Sequence, residues 1–475
     1  MGIRATGLDV AVIIVYLAVM LIIGFLSKKR AGSSSEQYLV AGRNLGFWMF
    51  FPCMSAVVLG GASTMGATKL GYVGGFGLSW FLVWQGLGVM ALGFLMSKKL
   101  VRLKITTVGE LFSLRFGRFA RLFSAIIMSI FTSMLAVIQI ISVGALLSAL
   151  LGWNMTYAML IGGGIAIVYS FIGGMVAITF TDFIQWAIMT VGVFLIFLPL
   201  AFMRAGGIEG FMTLPPAHLD FGSGGFIGEI LPKFIMFFLG IMIDQSVWQR
   251  LFTGRNTKVA YAGTIASGVY SLFYGLACVV LGMAAFIILP SLDNPQQAFG
   301  LLAVEILPPG LLGLVIAAVM SAIMSTMSGP ILATTTLILK DMIMPHRELT
   351  EKSKMFTSRV LMISVSSICM LCALFFRDIV VALDVAYAIL SGGLFVPIIC
   401  ALFWKRATPK ACIAAMCVST VVIFAGMAAF GIDSYQPILL GFLTSLVVLP
   451  VVSFLTPPQT ENKIEEILAA AGADE

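Results

Sequence analysis

Residues Pro52–Gly75 read PCMSAVVLGGASTMGATKLGYVGG, a stretch as apolar as a membrane span yet punctuated by Gly60-Gly61, Gly66, Gly71 and Gly74-Gly75. Ser55, Ser63, Thr64, Thr68 and Lys69 are interleaved among these glycines. Glycine weakens a helix and bares its backbone. In lipid every bared carbonyl needs a partner, so irregular backbone persists only around a cavity or a bound ion. The stretch therefore predicts a discontinuous helix that lines a site. The competing reading is a Gly-rich helix whose small faces admit close neighbours.

Outward from this stretch the chain keeps the same character. Of its 475 residues 60% are hydrophobic and 10% charged, and the mean hydropathy is +1.07, values of a polytopic helical membrane protein. The net charge of +7 does not point to nucleic acid, because the positive residues fall in short clusters between apolar segments. The seven cysteines lie within apolar segments, and Cys369-x-x-Cys372 has no other paired ligands near it. They read as small apolar residues rather than a metal or redox centre. His218 and His346 are the only histidines and fall outside the predicted spans, which leaves no histidine relay in the membrane. No charged n-region or cleavage site precedes the first apolar run, so that run reads as a retained span.

Segments long enough to cross a core of about 30 Å are predicted at 8–27, 46–69, 75–97, 122–151, 155–178, 183–203, 229–249, 260–289, 309–339, 358–377, 380–403, 411–431 and 436–456, thirteen in all. An odd number puts the termini on opposite sides. Lys28-Lys29-Arg30 with Arg43, then Lys98 to Arg121, Arg250 to Lys258, Lys340 to Arg359, and Lys405 to Lys410 all fall on one side. The other side holds only Arg4, Arg204 and Arg377, with Lys233 at a span's edge. The bias places the N-terminus outside and the C-terminus in the cytoplasm. Three connections exceed a turn. The one at 98–121 has apolar residues at helical spacing among arginines and predicts an amphipathic interfacial helix. The one at 204–228 reads as an irregular cover or, more simply, a plain linker. The one at 290–308 holds a predicted short helix from Gln296 to Leu307. A polar tail follows Pro457, with a short amphipathic piece around Ile464–Ala471.

Gly313–Asp341, GLVIAAVMSAIMSTMSGPILATTTLILKD, is the second candidate for a site, because its mid-membrane Pro330 frees a carbonyl and bends a helix. Ala322, Ser325 and Thr326 stand at i, i+3 and i+4, so a carbonyl and two hydroxyls can share one face. Such neutral oxygens suit Na+, with further donors from the broken helix. The plainer reading is that these hydroxyls bond back to their own helix. Asp182 is predicted at the start of a span, where Thr181-Asp182 can cap it, yet a carboxylate at bilayer depth is a functional candidate. Asp244, in GIMIDQSVWQR, calls for an ion, a solute group or a basic side chain such as Lys69. Asp384, nearer an outer end, ranks lower.

The segments YSFIGG (169–174), AITFTDFIQ (177–185), AVMSAIMST (318–326), IDQSVWQR (243–250) and SGGLFVPIICALFWKR (391–406) together resemble the sodium:solute symporter family, over Gly42 to Arg406. The resemblance implies an all-α membrane protein with a leucine-transporter-like core of two inverted five-helix repeats. The divisions are then an extra helix and loop at 1–45, a first repeat at 46–203, a connection at 204–228, a second repeat at 229–403, two added helices at 404–456 and a tail at 457–475. It also implies a main Na+ site made by the carbonyls of Ala56, Leu59 and Ala322 with the hydroxyls of Ser325 and Thr326. A second Na+ site of some members is matched in part, by Asp182 and Ser328, while Gly329 stands where those members carry a hydroxyl. The solute region maps near Ser63, Thr64, Thr68 and Asp244. Lys69 can pair a solute carboxylate and Asp244 an amine, or the two can neutralise each other and leave an uncharged solute. Val58 stands where proline-transporting relatives have an acid, which argues against a simple transfer of proline specificity.

The implied activity is not enzymatic. It is secondary uptake of a small organic solute, an amino acid, carboxylate or similar, coupled to inward Na+ across the plasma membrane, with lipid around a monomeric unit. At about 100 mV one Na+ gains roughly 2.3 kcal/mol, and a tenfold gradient adds about 1.4 kcal/mol. Together these sustain an accumulation of roughly a few hundredfold. The alternative is a proton-coupled carrier on the same scaffold using Asp182 or Asp244. A sensor would need a larger cytoplasmic domain than the residues after Pro457, and a channel would pass sustained current.

Overall fold

The computed structural model describes residues 6–31, 35–375, 378–432, 434–458 and 464–467, and these are helical almost throughout. Nine helices are each long and apolar enough to cross a membrane, and a bent pair makes a tenth. Three shorter or interrupted stretches bring the crossings among the described residues to thirteen. In chain order they are α1 (Gly7–Ala31), the bent pair α2 (Phe47–Val58) and α3 (Ala62–Leu78), α4 (Trp80–Leu95) and α5 (Arg118–Leu151). Next come α6 (155–173), α7 (Gly174–Arg204), the interrupted pair α8 (226–241) and α9 (Gln245–Leu251), and α10 (Thr257–Ile288). The last are α11 (Leu311–Ile343), α12 (Glu351–Ala373), α13 (Ile379–Phe403), α14 (Pro409–Phe430) and α15 (Gln436–Leu455).

The first helix of each five-helix set is the one that is broken. Between α2 and α3 the chain bends by 64° at Leu59–Gly61. Between α8 and α9 it leaves helical geometry at Met242–Asp244, where Asp244 takes up an extended conformation and caps α9. This second break was not read from the sequence. The expected one, around Gly329-Pro330, does not occur: α11 passes through Pro330 as one helix from Leu311 to Ile343. Its residues from Val315 to Leu337 are all buried, so neighbours pack against it on every side. Hydroxyls cover nearby carbonyls as well, Thr334 donating to Pro330 O at 2.9 Å and Ser328 to Ser325 O at 3.0 Å.

Two layers of helices pack around these breaks. Helix α10 runs along α2, α3 and α4 to form one bundle, whereas α11 packs on α5, α6 and α7 to form a scaffold. Helices α14 and α15 pair with each other beside α13. Glycine makes the bundle crossing close: a Cβ at Gly71 would lie 2.2 Å from Val279 O, and one at Gly282 would lie 2.1 Å from Thr68 O. The two readings of Pro52–Gly75 therefore apply to different glycines. Gly60-Gly61 breaks the helix and Gly71 packs it.

Other boundaries moved. The fifth and sixth spans divide at Gly174, whose φ of 55° suits glycine, so Asp182 lies inside a continuing helix and is not a cap. The helix in the 98–121 connection is Val108–Phe116, started by a capping box of Thr107 and Glu110. It buries Leu111, Phe112 and Phe116 against the protein instead of lying in lipid. The 204–228 connection does act as a cover. Trp80 Nε1 donates to Phe221 O at 2.7 Å, and His218 sits against Gly75. The short helix at 290–308 is Ala298–Ile306. Of the tail's amphipathic piece, only residues 464–467 lie within the described residues.

Because its β-carbon would meet backbone, Gly282→Val is expected to destabilise the protein by at least about 1–3 kcal/mol. The thermal unfolding midpoint in detergent measures this, and an unchanged midpoint would contradict the close crossing of α3 and α10.

Candidate functional site

Breaking α2 from α3 strands polar backbone at mid-membrane depth, and three neighbouring helices supply partners for it. From α4, Gln85 Nε2 donates to Val58 O at 3.1 Å, and Ser63 Oγ reaches the same carbonyl at 3.3 Å. From α5, Gln139 Oε1 accepts from Gly61 N at 2.8 Å. From α11, Ser325 Oγ and Thr326 Oγ1 each donate to Ala56 O at 3.1 Å, and Ser325 Oγ also lies 3.0 Å from Ala322 O. All of these groups are buried.

The last set forms an oxygen cluster. Ala56 O, Ala322 O and the two hydroxyls stand about one hydrogen bond apart, with buried Leu59 at the break beside them. Gly60 permits this approach, since a Cβ there would come within 2.8 Å of the Thr326 side chain. Neutral oxygens at such spacing match the ligands of a hard monovalent cation, which would take up lone pairs while the hydroxyl protons turn outward.

The remaining predicted residues are dispersed. Thr64 and Thr68 face α10: Thr64 Oγ1 is 3.2 Å from the Tyr274 hydroxyl, and Thr68 donates to Cys278 O at 3.1 Å. Ser63 is 3.2 Å from Gln85 Oε1 and faces the break. Lys69 does not meet Asp244. It pairs with Asp378, whose other oxygen caps α13 through Val380 N. Asp244 accepts from Ser246 N at 2.7 Å as the cap of α9, and the Tyr387 hydroxyl faces it. Asp182 meets Arg250 Nη2 and Cys53 Sγ at 3.4 Å each, with both charged side chains fully buried. Ser328 turns back onto its own helix, donating to Ser325 O at 3.0 Å.

Sequence reasoning passed over Gln85, Gln139 and the partners of the acids. A glutamine alone in an apolar helix was the available signal for the first two. The ion pairs join residues 309 and 68 positions apart in the chain, a separation that no local pattern carries.

Broken first helices in two repeats, the first break held by buried neutral groups and the second capped by a buried carboxylate, are the mark of a secondary transporter of the inverted-repeat type. Residues 38–419 match the description of the sodium:solute symporter family, and the chain belongs to that family. It is a membrane-embedded Na+-coupled transporter of a small solute and not an enzyme. The high-affinity proline transporter PutP of Bacillus subtilis is 28% identical over 480 residues, covering 92% of this chain and 96% of that one. Sodium/glucose cotransporter 4 of Danio rerio is 26% identical over 400 residues, covering 74% of this chain and 60% of that protein. A substrate-bound, outward-open Na+-coupled sialic acid symporter shares the fold with a TM-score of 0.83, covering 95% of this chain and 99% of the other at 21% identity.

Replacing Gln85 or Gln139 by Leu is expected to cost about 1–3 kcal/mol each, since a buried backbone group loses its partner. Thermal unfolding in detergent checks this, and neutral substitutions would show that the break is solvated by other means.

Proposed function

We propose that the coupling Na+ is held by Ala56, Leu59, Ala322, Ser325 and Thr326, and that the solute lies against the break beside it. The observation that carries this reading is the meeting of one Ala56 carbonyl with both Ser325 and Thr326 hydroxyls. Binding there draws the broken helix of the bundle onto α11 of the scaffold, so ion and solute together favour the closed form. Neither acid is a free proton carrier, because Asp182 faces Arg250 and Asp244 caps α9.

The solute we infer is an amino acid or similar small zwitterion. Its carboxylate would meet the α3 N-terminus with Ser63 and Gln139, and its amine would meet Asp244. Lys69 drops out of this set because Asp378 occupies it, and Thr64 and Thr68 serve the α10 contact instead. A proline transporter among the relatives supports the class, while Val58 argues against proline itself. The repeats are placed at 46–203 and 229–403, the functional unit is a single chain, and the face with the basic clusters is cytoplasmic. Labelling of Lys258→Cys by an impermeant maleimide only after cells are opened is the expected check on orientation.

Ser325→Ala and Thr326→Ala are each expected to weaken Na+ about tenfold to a hundredfold, the loss of about 1.5–3 kcal/mol for a contact to a charge. Asp244→Asn is expected to weaken the solute more than Na+. Thermal shifts of the purified protein against a panel of amino acids, with and without Na+, identify the solute and measure both effects. Equal losses of ion and solute affinity in all three variants would contradict this division of the site.

A further inference from the structure

We propose that Arg250 serves this transporter as a tethered cation, its guanidinium standing at Asp182 in place of a second Na+, so that one Na+ accompanies each cycle. The inference rests on the main-site assignment above for the location of that one ion.

A carboxylate at bilayer depth needs a compensating charge. Among the described residues the cation that reaches Asp182 is Arg250, with Nη2 at 3.4 Å from Oδ2. Both side chains are fully buried, and the other neighbour of that oxygen is the Cys53 thiol, also buried. The room for the guanidinium comes from Gly329. A Cβ at that position would lie 2.7 Å from Nη1 and 3.0 Å from Nη2, so any larger residue there would displace the arginine. Ser328, next to it, spends its hydroxyl on Ser325 O. Gly329 thus brings no side-chain oxygen towards Asp182, and the space that its missing Cβ leaves is taken by the guanidinium.

The pair is also loose. At 3.4 Å it is well beyond the 2.7–2.9 Å of a tight charged hydrogen bond, and among the described residues Asp182 Oδ1, Arg250 Nε and Arg250 Nη1 have no hydrogen-bond partner. Asp182 belongs to α7 and Arg250 to α9, the short half of a broken helix, so the contact joins two elements that packing does not fuse. Arginine keeps its proton under all ordinary conditions, and it cannot dissociate into either compartment. It therefore neutralises Asp182 throughout the cycle without consuming an ion from the gradient.

Equilibrium binding of 22Na+ to the full-length protein in detergent tests this. The expected result is one ion per chain, saturating with a Hill coefficient near 1, kept in Asp182→Asn/Arg250→Gln and lost in Ser325→Ala/Thr326→Ala. Removing the guanidinium in Arg250→Ala is expected to raise the count to two, as the abandoned carboxylate recruits a free Na+. Two ions per chain in the unaltered protein, one ion that disappears with Asp182→Asn/Arg250→Gln, or a count that stays at one in folded Arg250→Ala each overturns the proposal. The unaltered protein's count decides the matter even if Arg250→Ala does not fold. An ion kept both in Ser325→Ala/Thr326→Ala and in Asp182→Asn/Arg250→Gln overturns the main-site assignment while leaving the role of Arg250 standing.

Discussion

A peptide carbonyl pulled out of its helix at the middle of a bilayer has no water to turn to, and the whole arrangement of this protein follows from answering the few that Gly60-Gly61 releases. The carbonyls are answered by an amide on α4 and two hydroxyls on α11, and the freed Gly61 N–H by an amide oxygen on α5. Since α4 belongs to the bundle and α5 and α11 to the scaffold, the hydrogen bonds that satisfy the broken backbone also tie the two layers together. A cation held as proposed among Ala56, Ser325 and Thr326 would strengthen that tie, and its loss would weaken it.

How far the sequence disclosed this depended on whether a feature leaves a local mark. Gly60-Gly61 in an apolar run announces a break, and Ala322, Ser325 and Thr326 at helical spacing announce a common face. The break before α9 carries no glycine or proline at Met242–Asp244, and its only mark is an aspartate and a glutamine interrupting apolar residues, which reads equally as a binding acid. Pro330 misled in the opposite sense: the helix runs on through it without a break, buried from Val315 to Leu337. Thr64 and Thr68 share the broken stretch with Ser63, but a one-dimensional pattern does not say which face α10 covers.

Charge placement repeats this lesson across the fold. On the face away from the basic clusters, Lys69 pairs with Asp378 and Lys233 with Asp384 at 2.6 Å. One lysine comes from each broken helix or its start, and both acids belong to the beginning of α13. The Lys69–Asp378 pair is partly exposed and contributes little on its own, whereas Lys233 is buried beside a partly exposed Asp384; both tie α13 to the broken helices. On the basic face the loop before Val108 is clasped by Arg43 through the carbonyls of Lys104 and Ile105, by Gln245 through Thr106 O and Val108 N, and by Lys340 through Thr106 Oγ1. The one face is thus tied by ion pairs and the other by side-chain hydrogen bonds to a single loop.

A small feature on that second face bears on how it opens. Leu45, just ahead of α2, exchanges backbone hydrogen bonds with Thr253 and Arg255, just past α9, at 2.9 and 3.0 Å. The lower arms of both interrupted helices are thereby yoked into one lever, although they come from opposite halves of the chain. A tilt that frees one arm drags the other, so the pathway on that side unlatches as a unit, and a half-open state that would let the ion slip through without its passenger has no separate hinge to form on.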